Sequence, residues 1–374
     1  MNLTTAWLKS YVRYPWDVRR AKSYLENGKT GDKSDESLLS VDTFHRPIVV
    51  ELHTPQLLFD CGRHLNCIAM HARLAGSPFY LRCSKVLLAG IARKLYGREL
   101  LSMPDLTWLS NKDKYPACAM VLTDNIKRCP YPDAIEMRIG RDTVDASPVM
   151  PYPMHHRSIE SMQHSNLAQI RDTSQRRGVF FAGRIKDSYK RNAVQNQFGV
   201  IDRVQAVETL REALSDRVFP TRDAIKTTQT GGVPIVLQDS RLNSIDPSQW
   251  LPTLASFDFF LCCPGASQPM CHNAVEAMSV GTIPLLEYAN RFTPNLQDGV
   301  NAVCFSGREG LLESVHRIDR MSPQEISELR QGVIRYFEEH LRGEQFLAKL
   351  RDDEFGSDID VLSMPFHSSN YFAA

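Results

Sequence analysis

The fold can be inferred from one stretch, Phe257–Phe305, which reads FDFFLCCPGASQPMCHNAVEAMSVGTIPLLEYANRFTPNLQDGVNAVCF. A mostly apolar run from Phe257 to Cys262 predicts a buried strand that ends at Pro264-Gly265. A polar loop follows, then a short helix from about His272 to Val280, and Thr282 to Tyr288 predicts a second buried strand. This order is the repeating unit of a parallel α/β sheet, whose ligands bind at the carboxyl ends of strands and at helix N-termini.

The composition is that of an ordinary globular protein. The chain has 374 residues, 43% of them hydrophobic and 23% charged, which is long for one domain and natural for two. Its 44 Lys and Arg against 43 Asp and Glu give a net charge of +1, so a global attraction to nucleic acid is not indicated. Nine cysteines without a CxxC pair favour reduced thiols and a cytoplasmic location. Neither a membrane-spanning apolar run nor the apolar core of a signal peptide is expected.

Strands and helices alternate through both halves of the chain. Strands of the first half are predicted at Pro47 to Leu52, Phe79 to Arg82, Ala117 to Leu122 and Ala134 to Ile139. We predict an N-terminal Rossmann-like domain over 1–150, a linker over 151–176, a C-terminal Rossmann-like domain over 177–345 and a tail over 346–374. Two such doubly wound α/β domains are expected to face a cleft, which is a preferred place for a ligand.

The second half also resembles a known family. The resemblance lies in Phe180–Arg184 followed by Lys186 and Lys190, in Trp250–Gly265, in Asn273–Pro284 and in Asp298–Asn301. These stretches resemble the donor-binding domain of glycosyltransferases with the GT-B fold, and Asn273–Pro284 resembles their E-A-x-x-x-G-x-x-P segment. Exostosin-like, fucosyltransferase-like and E-x7-E families share that segment. Gln268 stands where the last of these has its first Glu, and Asn273 stands where exostosin-like enzymes have an Arg, so the subfamily stays open.

The resemblance implies a nucleotide-sugar donor and no other cofactor. The implied donor site consists of Arg184, Lys186, Lys190, Gly265, His272, Asn273 and Glu276. A guanidinium such as that of Arg184 suits a diphosphate, because it binds two phosphate oxygens at once. The helix that begins near His272 adds backbone N–H groups, and Glu276 is expected to accept hydrogen bonds from two ribose hydroxyls.

An inverting transfer needs a base for the acceptor hydroxyl, and three residues are candidates. His53 follows the strand that ends at Leu52, Asp124 follows the third strand, and Asp60 precedes a predicted helix. Asp60 is equally well explained as a helix N-cap. Metal use is not predicted, because the only D-x-D spelling, Asp358-Ile359-Asp360, lies in the polar tail and His155-His156 lacks a ligand set at zinc spacing.

Residues 1–27 mix aromatic and basic side chains, among them Trp16, Arg13, Arg19 and Arg20. Such a mixture suits a membrane interface, so peripheral membrane contact is one interpretation. A terminal helix packed on the domain with solvated charges is the other.

These features predict a metal-independent glycosyltransferase that moves a sugar from a nucleotide donor to a hydroxyl of a glycan, lipid-linked sugar or protein. Two alternatives stay open at this point. One is a non-catalytic protein that binds nucleotide sugars or glycans on the same scaffold, and the other is a nucleotide-sugar isomerase.

Overall fold

The computed structural model describes residues 3–30, 45–58, 60–138, 147–164, 166–172, 176–186, 197–225, 231–265, 268–356 and 358–365. The chain divides into two compact units, which are described separately. The first consists of Met1–His156 and Gly343–Ala374, and the second of Arg157–Arg342.

The first unit contains a parallel sheet of six strands. They are β1 (Ile48–Leu52), β2 (Phe79–Cys83), β3 (Thr107–Leu109), β4 (Met120–Thr123), β5 (Ile135–Arg138) and β12 (Val361–Ser363). Their order in the sheet is β12-β5-β4-β1-β2-β3. The central strand β1 is buried along its whole length, as its nearly continuous apolar run predicts. The chain leaves β1 toward β2 on one side and returns to β4 on the other, so the order reverses between β1 and β4.

Helices flank this sheet. They are α1 (Leu3–Thr30), α2 (Arg63–Leu74), α3 (Lys85–Arg93), α4 (Leu95–Leu101) and, from the end of the chain, α12 (Gly343–Arg351). α1 packs against α3 and α4, and α12 packs against α2. The buried guanidinium of Arg351 donates to Ala75 O at 2.6 Å and to Ser77 Oγ at 3.0 Å. The helix Gly343–Arg351 is therefore built into the first unit.

The second unit contains another parallel sheet of six strands. They are β6 (Val179–Gly183), β7 (Val218–Phe219), β8 (Ile235–Asp239), β9 (Phe259–Leu261), β10 (Ile283–Leu286) and β11 (Val303–Cys304). Their order is β11-β10-β9-β6-β8-β7. As in the first sheet, the first strand of the unit lies in the middle, and the order reverses between β6 and β9.

Seven α-helices are described between β5 of the first sheet and Tyr336, and two of them precede the second sheet. They are α5 (His156–His164), α6 (Leu167–Arg171), α7 (Arg203–Ala213), α8 (Pro247–Ala255), α9 (His272–Ser279), α10 (Gly307–Asp319) and α11 (Pro323–Tyr336). The start of α11 is the capping box that its sequence predicts, because Ser322 and Glu325 each accept the other's backbone N–H.

The predicted fold class is confirmed, since both units are parallel, doubly wound α/β sheets with the Rossmann-like reversal of strand order. Two segments differ from the expected domain limits. The stretch 151–176, predicted as a linker, contains α5 and α6. The stretch 346–374, predicted as a tail, contributes most of α12 and the strand β12, which pairs with β5. Strand pairing over more than two hundred residues leaves no local sequence signal, which is why the sequence did not predict it.

Candidate functional site

The second sheet reverses its strand order between β6 and β9, and ligands of such sheets bind at this point. The two strands pair in parallel at Val179↔Phe259 and Phe180↔Phe260. The loop after β6 carries Arg184 and Lys186, and the loop after β9 carries Gly265. The residues implied as a donor site are thereby brought to one edge of one sheet, except Lys190, which lies outside the described residues.

Helix α9 begins beside these two loops. The side chain of Asn273 in its first turn donates from Nδ2 to Ala182 O of β6 at 3.2 Å. No side chain caps the helix, because its N-cap residue is Cys271. The backbone N–H of Ala274 donates to Cys271 O at 3.2 Å, and those of His272 and Asn273 lie at the helix N-terminus, near the loop after β6 that carries Arg184. A Cβ on Gly265 would lie 2.8 Å from Gln268 O, so the tight turn after β9 requires glycine.

Glu276 is fully buried, and its carboxylate is enclosed by the protein. Its Oε1 accepts from Ser158 Oγ at 2.9 Å, and its Oε2 accepts from Trp250 Nε1 at 2.7 Å. Nδ1 of His272 lies 3.0 Å from the same Oε2. Because an indole N–H can only donate, Oε2 is an acceptor, and we infer that His272 donates to it from Nδ1.

This arrangement differs from the expected ribose contact of Glu276. A carboxylate with no exposed surface and protein donors on both oxygens is not open to a sugar hydroxyl. Instead it fixes the ring of His272, whose side chain is 32% exposed at the first position of α9. His272 is thus the member of this pair that can reach a ligand, and Glu276 positions it.

A buried arginine ties the two loops together. Arg203, at the start of α7, donates to Arg184 O at 3.4 Å and to Pro264 O at 3.2 Å. Its guanidinium also stands 5.8 Å from the ring centre of Phe181. Burial raises the pKa of the neighbouring Cys263 thiol to about 12, which favours its protonated form.

The loop after β6 is held from β8 as well. Asp239 accepts from Ile185 N at 3.4 Å and from Nε of Arg241 at 3.0 Å, and Arg241 also donates to Ile185 O. Hydrogen bonds from Arg241 lower the pKa of Asp239 to about 2. Asp239 and Arg241 thus hold the backbone of this loop at Ile185, while the side chains of Arg184 and Lys186 on either side are exposed.

In the first unit, two of the three predicted bases meet where the sheet reverses between β1 and β4. Asp124 accepts from the backbone N–H of His53 at 2.7 Å and of Thr54 at 2.8 Å, and from Thr54 Oγ1 at 2.6 Å. Three donors occupy the oxygens of this carboxylate and tie it to the backbone of the loop after β1. Asp124 therefore shapes the loop that presents His53.

The imidazole of His53 contacts a buried acid. Its Nε2 lies 3.2 Å from Oε1 of Glu51, and the side chains are 14% and 4% exposed. Glu51 also accepts from Arg82 Nε at 3.3 Å and from the hydroxyl of Tyr115. Burial, and next the hydrogen bond to Glu51, raise the pKa of Tyr115, so its proton stays on the phenol. The contact places a carboxylate beside the imidazole at the carboxyl end of β1, an arrangement that a general base can use.

The third predicted base, Asp60, has a different partner. Its Oδ2 lies 2.6 Å from Nη2 of Arg63 at the start of α2, and that guanidinium also donates to the Tyr152 hydroxyl at 3.2 Å. The adjacent His64 is buried, and burial followed by the charge of Arg63 lowers its pKa well below the usual value. Burial thus favours the neutral form of His64. In the described part of the chain Asp60 contacts Arg63 rather than His53 or Asp124.

Sequence reasoning missed five residues that shape these two sites: Glu51, Arg203, Asp239, Arg241 and Trp250. Only Glu51 left a signal, because it is the one charged residue in the apolar strand Ile48–Leu52. Among the described residues, no group of three or more His, Cys, Asp or Glu is placed to hold a metal ion.

No family model matches the sequence, and a search of curated proteins found no match. Solved structures match at low similarity. A glycosyltransferase from Rickettsia africae has a TM-score of 0.36 at 6% identity, covering 84% of this chain and 100% of that one. Sucrose-phosphate synthase from Thermosynechococcus elongatus has a TM-score of 0.38 at 8% identity, with 83% and 99% covered. A trehalose 6-phosphate synthase from Burkholderia multivorans has a TM-score of 0.33 at 15% identity, with 88% and 76% covered.

Proposed function

We propose that this protein is a glycosyltransferase that takes a sugar from a nucleotide-sugar donor and transfers it to a hydroxyl group. The observation that carries the proposal is the His272–Glu276 pair at the N-terminus of α9, next to the strand end that carries Arg184. The family resemblance of Phe180–Arg184 and Asn273–Pro284 supports it as well, because it rests on the residue types of these stretches.

The second unit is proposed to hold the nucleotide diphosphate. When the bond between sugar and phosphate breaks, negative charge grows on the leaving phosphate oxygens. Arg184 supplies an exposed cation on an anchored loop, and α9 supplies backbone N–H groups. The imidazolium form of His272 supplies Nε2–H, since its Nδ1–H is donated to Glu276, which keeps the ring in one orientation. Lys186 adds a second exposed cation from the same loop, and Lys190 is proposed to act with it.

The first unit is proposed to supply the base. His53 takes the proton of the acceptor hydroxyl, and the charge of Glu51 stabilises the imidazolium that forms. Asp124 positions His53 through the backbone rather than by taking the proton itself. The acceptor is proposed to be a glycan, a lipid-linked sugar or a protein, and the reaction is proposed to need no metal.

A cytoplasmic location is part of the proposal. All nine cysteines are free, and four of them are buried, namely Cys67, Cys83, Cys262 and Cys263. Reduced, buried thiols are typical of proteins that stay in a reducing compartment.

Donor binding can be measured by thermal shift and by isothermal titration with UDP-, GDP-, ADP- and CMP-sugars. We expect one nucleotide class to stabilise the protein, and R184A and H272A each to weaken binding about tenfold or more, since each removes a charge-assisted contact. The control is R222A, an exposed arginine elsewhere in the second unit, which should bind as the wild type does.

The outcomes separate the proposal from its alternatives. Binding without nucleotide release in the presence of any acceptor would favour a non-catalytic binding protein, and conversion of the donor without an acceptor would favour an isomerase. No stabilisation by any nucleotide at millimolar concentration would contradict the donor site.

A further inference from the structure

The first helix of the chain has two unlike faces. On one face Asp17 and Ala21 are buried, and Asp17 Oδ2 lies 2.6 Å from Arg93 Nε of α3. This face packs against α3 and α4. α1 is therefore fastened to the first unit through one side, and several of its described side chains on the other side are exposed.

The outward side centres on a tryptophan. Trp16 is 70% exposed, the largest exposed aromatic side chain in the described part of the chain. Arg13 stands three residues before it, and Arg19 and Arg20 stand three and four residues after it, all of them exposed. Residues at these spacings are neighbours on one helix face, so the tryptophan is surrounded by arginines one turn away on each side.

The charge of this face is one-sided. Among the described side chains of α1, which are those of residues 13–28, the exposed cations are Arg13, Arg19, Arg20 and Lys22. The only exposed acid there is Glu26, because Asp17 is buried on the opposite face. The face thus combines a large amphipathic ring with concentrated positive charge. No helix in the described part of the chain has the length and apolar composition needed to cross a bilayer.

We propose that this face of α1, defined by Trp16, Arg13, Arg19 and Arg20, docks on the surface of an anionic lipid bilayer. An indole ring settles at the headgroup level, where its apolar body is buried and its N–H stays wet. Basic side chains beside it are attracted to anionic headgroups. A second copy of this chain fits less well, since a self-complementary contact would place the same arginines against each other. The inference is independent of the proposed reaction.

The test is flotation of the full chain with two kinds of vesicle, phosphatidylcholine alone and phosphatidylcholine with about one-third phosphatidylglycerol. We expect binding to the anionic vesicles only, with an affinity that falls steeply as salt is added. The variant R13Q/R19Q/R20Q should lose about a hundredfold in affinity, from about fivefold per arginine. W16A should bind more weakly at every salt concentration but keep the salt dependence.

The matched control is K112Q/K127Q/R128Q, which removes the same charge from exposed positions of the same unit and should bind as the wild type does. All substituted side chains are exposed, and unchanged thermal unfolding will verify that each variant is folded. Equal binding to both vesicles, no binding to either, or equal losses in the two triple variants would overturn the proposal. The proposal would also be overturned if the variant W16A and the variant R13Q/R19Q/R20Q both bound the anionic vesicles as the wild type does.

Discussion

Substitutions of Glu276 test whether this residue is a buried group that positions His272 or an exposed group that contacts the ligand. In E276A the indole N–H of Trp250 and the hydroxyl of Ser158 lose their acceptors, at about 1–2 kcal/mol for each donor. The missing carboxyl group also leaves a small cavity worth about 1 kcal/mol. We therefore expect E276A to lower the free energy of unfolding by about 4 kcal/mol.

E276Q should behave very differently. A glutamine amide oxygen in the place of Oε2 still accepts from Trp250 and His272, and its NH2 group donates to the Ser158 hydroxyl, which can rotate and accept. The weaker neutral bonds are offset by the lower cost of burying an uncharged group, so the expected change is at most about 1 kcal/mol.

The assay is urea-induced unfolding of the full chain, followed by far-UV circular dichroism. S158A is the internal control, with an expected loss of about 1 kcal/mol because it removes only one of the donors. If Glu276 were instead a solvent-facing residue that contacts ribose, E276A would change the free energy of unfolding by no more than about 0.5 kcal/mol. That result would refute the positioning role of Glu276.

Three further predictions concern the loops of the two sites. D124N should lower the free energy of unfolding by about 2 kcal/mol in a urea titration, because an amide NH2 then faces a backbone donor at the loop of His53. H53A should lower kcat by about a hundredfold or more without changing donor affinity, and E51Q should reduce kcat by a smaller factor, as steady-state kinetics will show. The pKa of Asp239 is lowered to about 2 in the folded protein, below its usual unfolded value of about 3.9, so its contribution is present above about pH 4 and is lost as pH falls through about 2. R241A should therefore be less stable than the wild type at neutral pH, and the difference measured by thermal unfolding should vanish toward pH 2.

The sheets were predictable because their signal is local. Two apolar runs predict the strands Phe259–Leu261 and Ile283–Leu286, and a helical segment that ends at a glycine predicts the helix His272–Ser279 between them. All three signals lie within thirty residues of sequence. The sequence predicted that His53 and Asp124 each follow a strand. It did not predict that the two strands, β1 and β4, are neighbours in the sheet, and this pairing is what brings the two residues into contact.

The role of Glu276 was not predictable in the same way. Its position on the helix followed from the sequence, but its partners did not, since Ser158 is 118 residues away in the chain and Trp250 is 26 residues away. Whether a helical glutamate faces solvent or is buried depends on which elements pack over it, and this long-range packing cannot be predicted from a single sequence. The clamp of Asp239 and Arg241 on Ile185 was missed for the same reason.

The central claim is tested most directly by measuring the nucleotide released from a nucleotide sugar. The wild type, H272A and R184A are incubated with the nucleotide sugar that stabilises the protein and with a mixture of hydroxyl acceptors, and the free nucleotide is quantified by chromatography. The account predicts acceptor-dependent release by the wild type and a loss of about a hundredfold in both variants, since each removes a group that stabilises the leaving diphosphate. Equal release by all three proteins would contradict it.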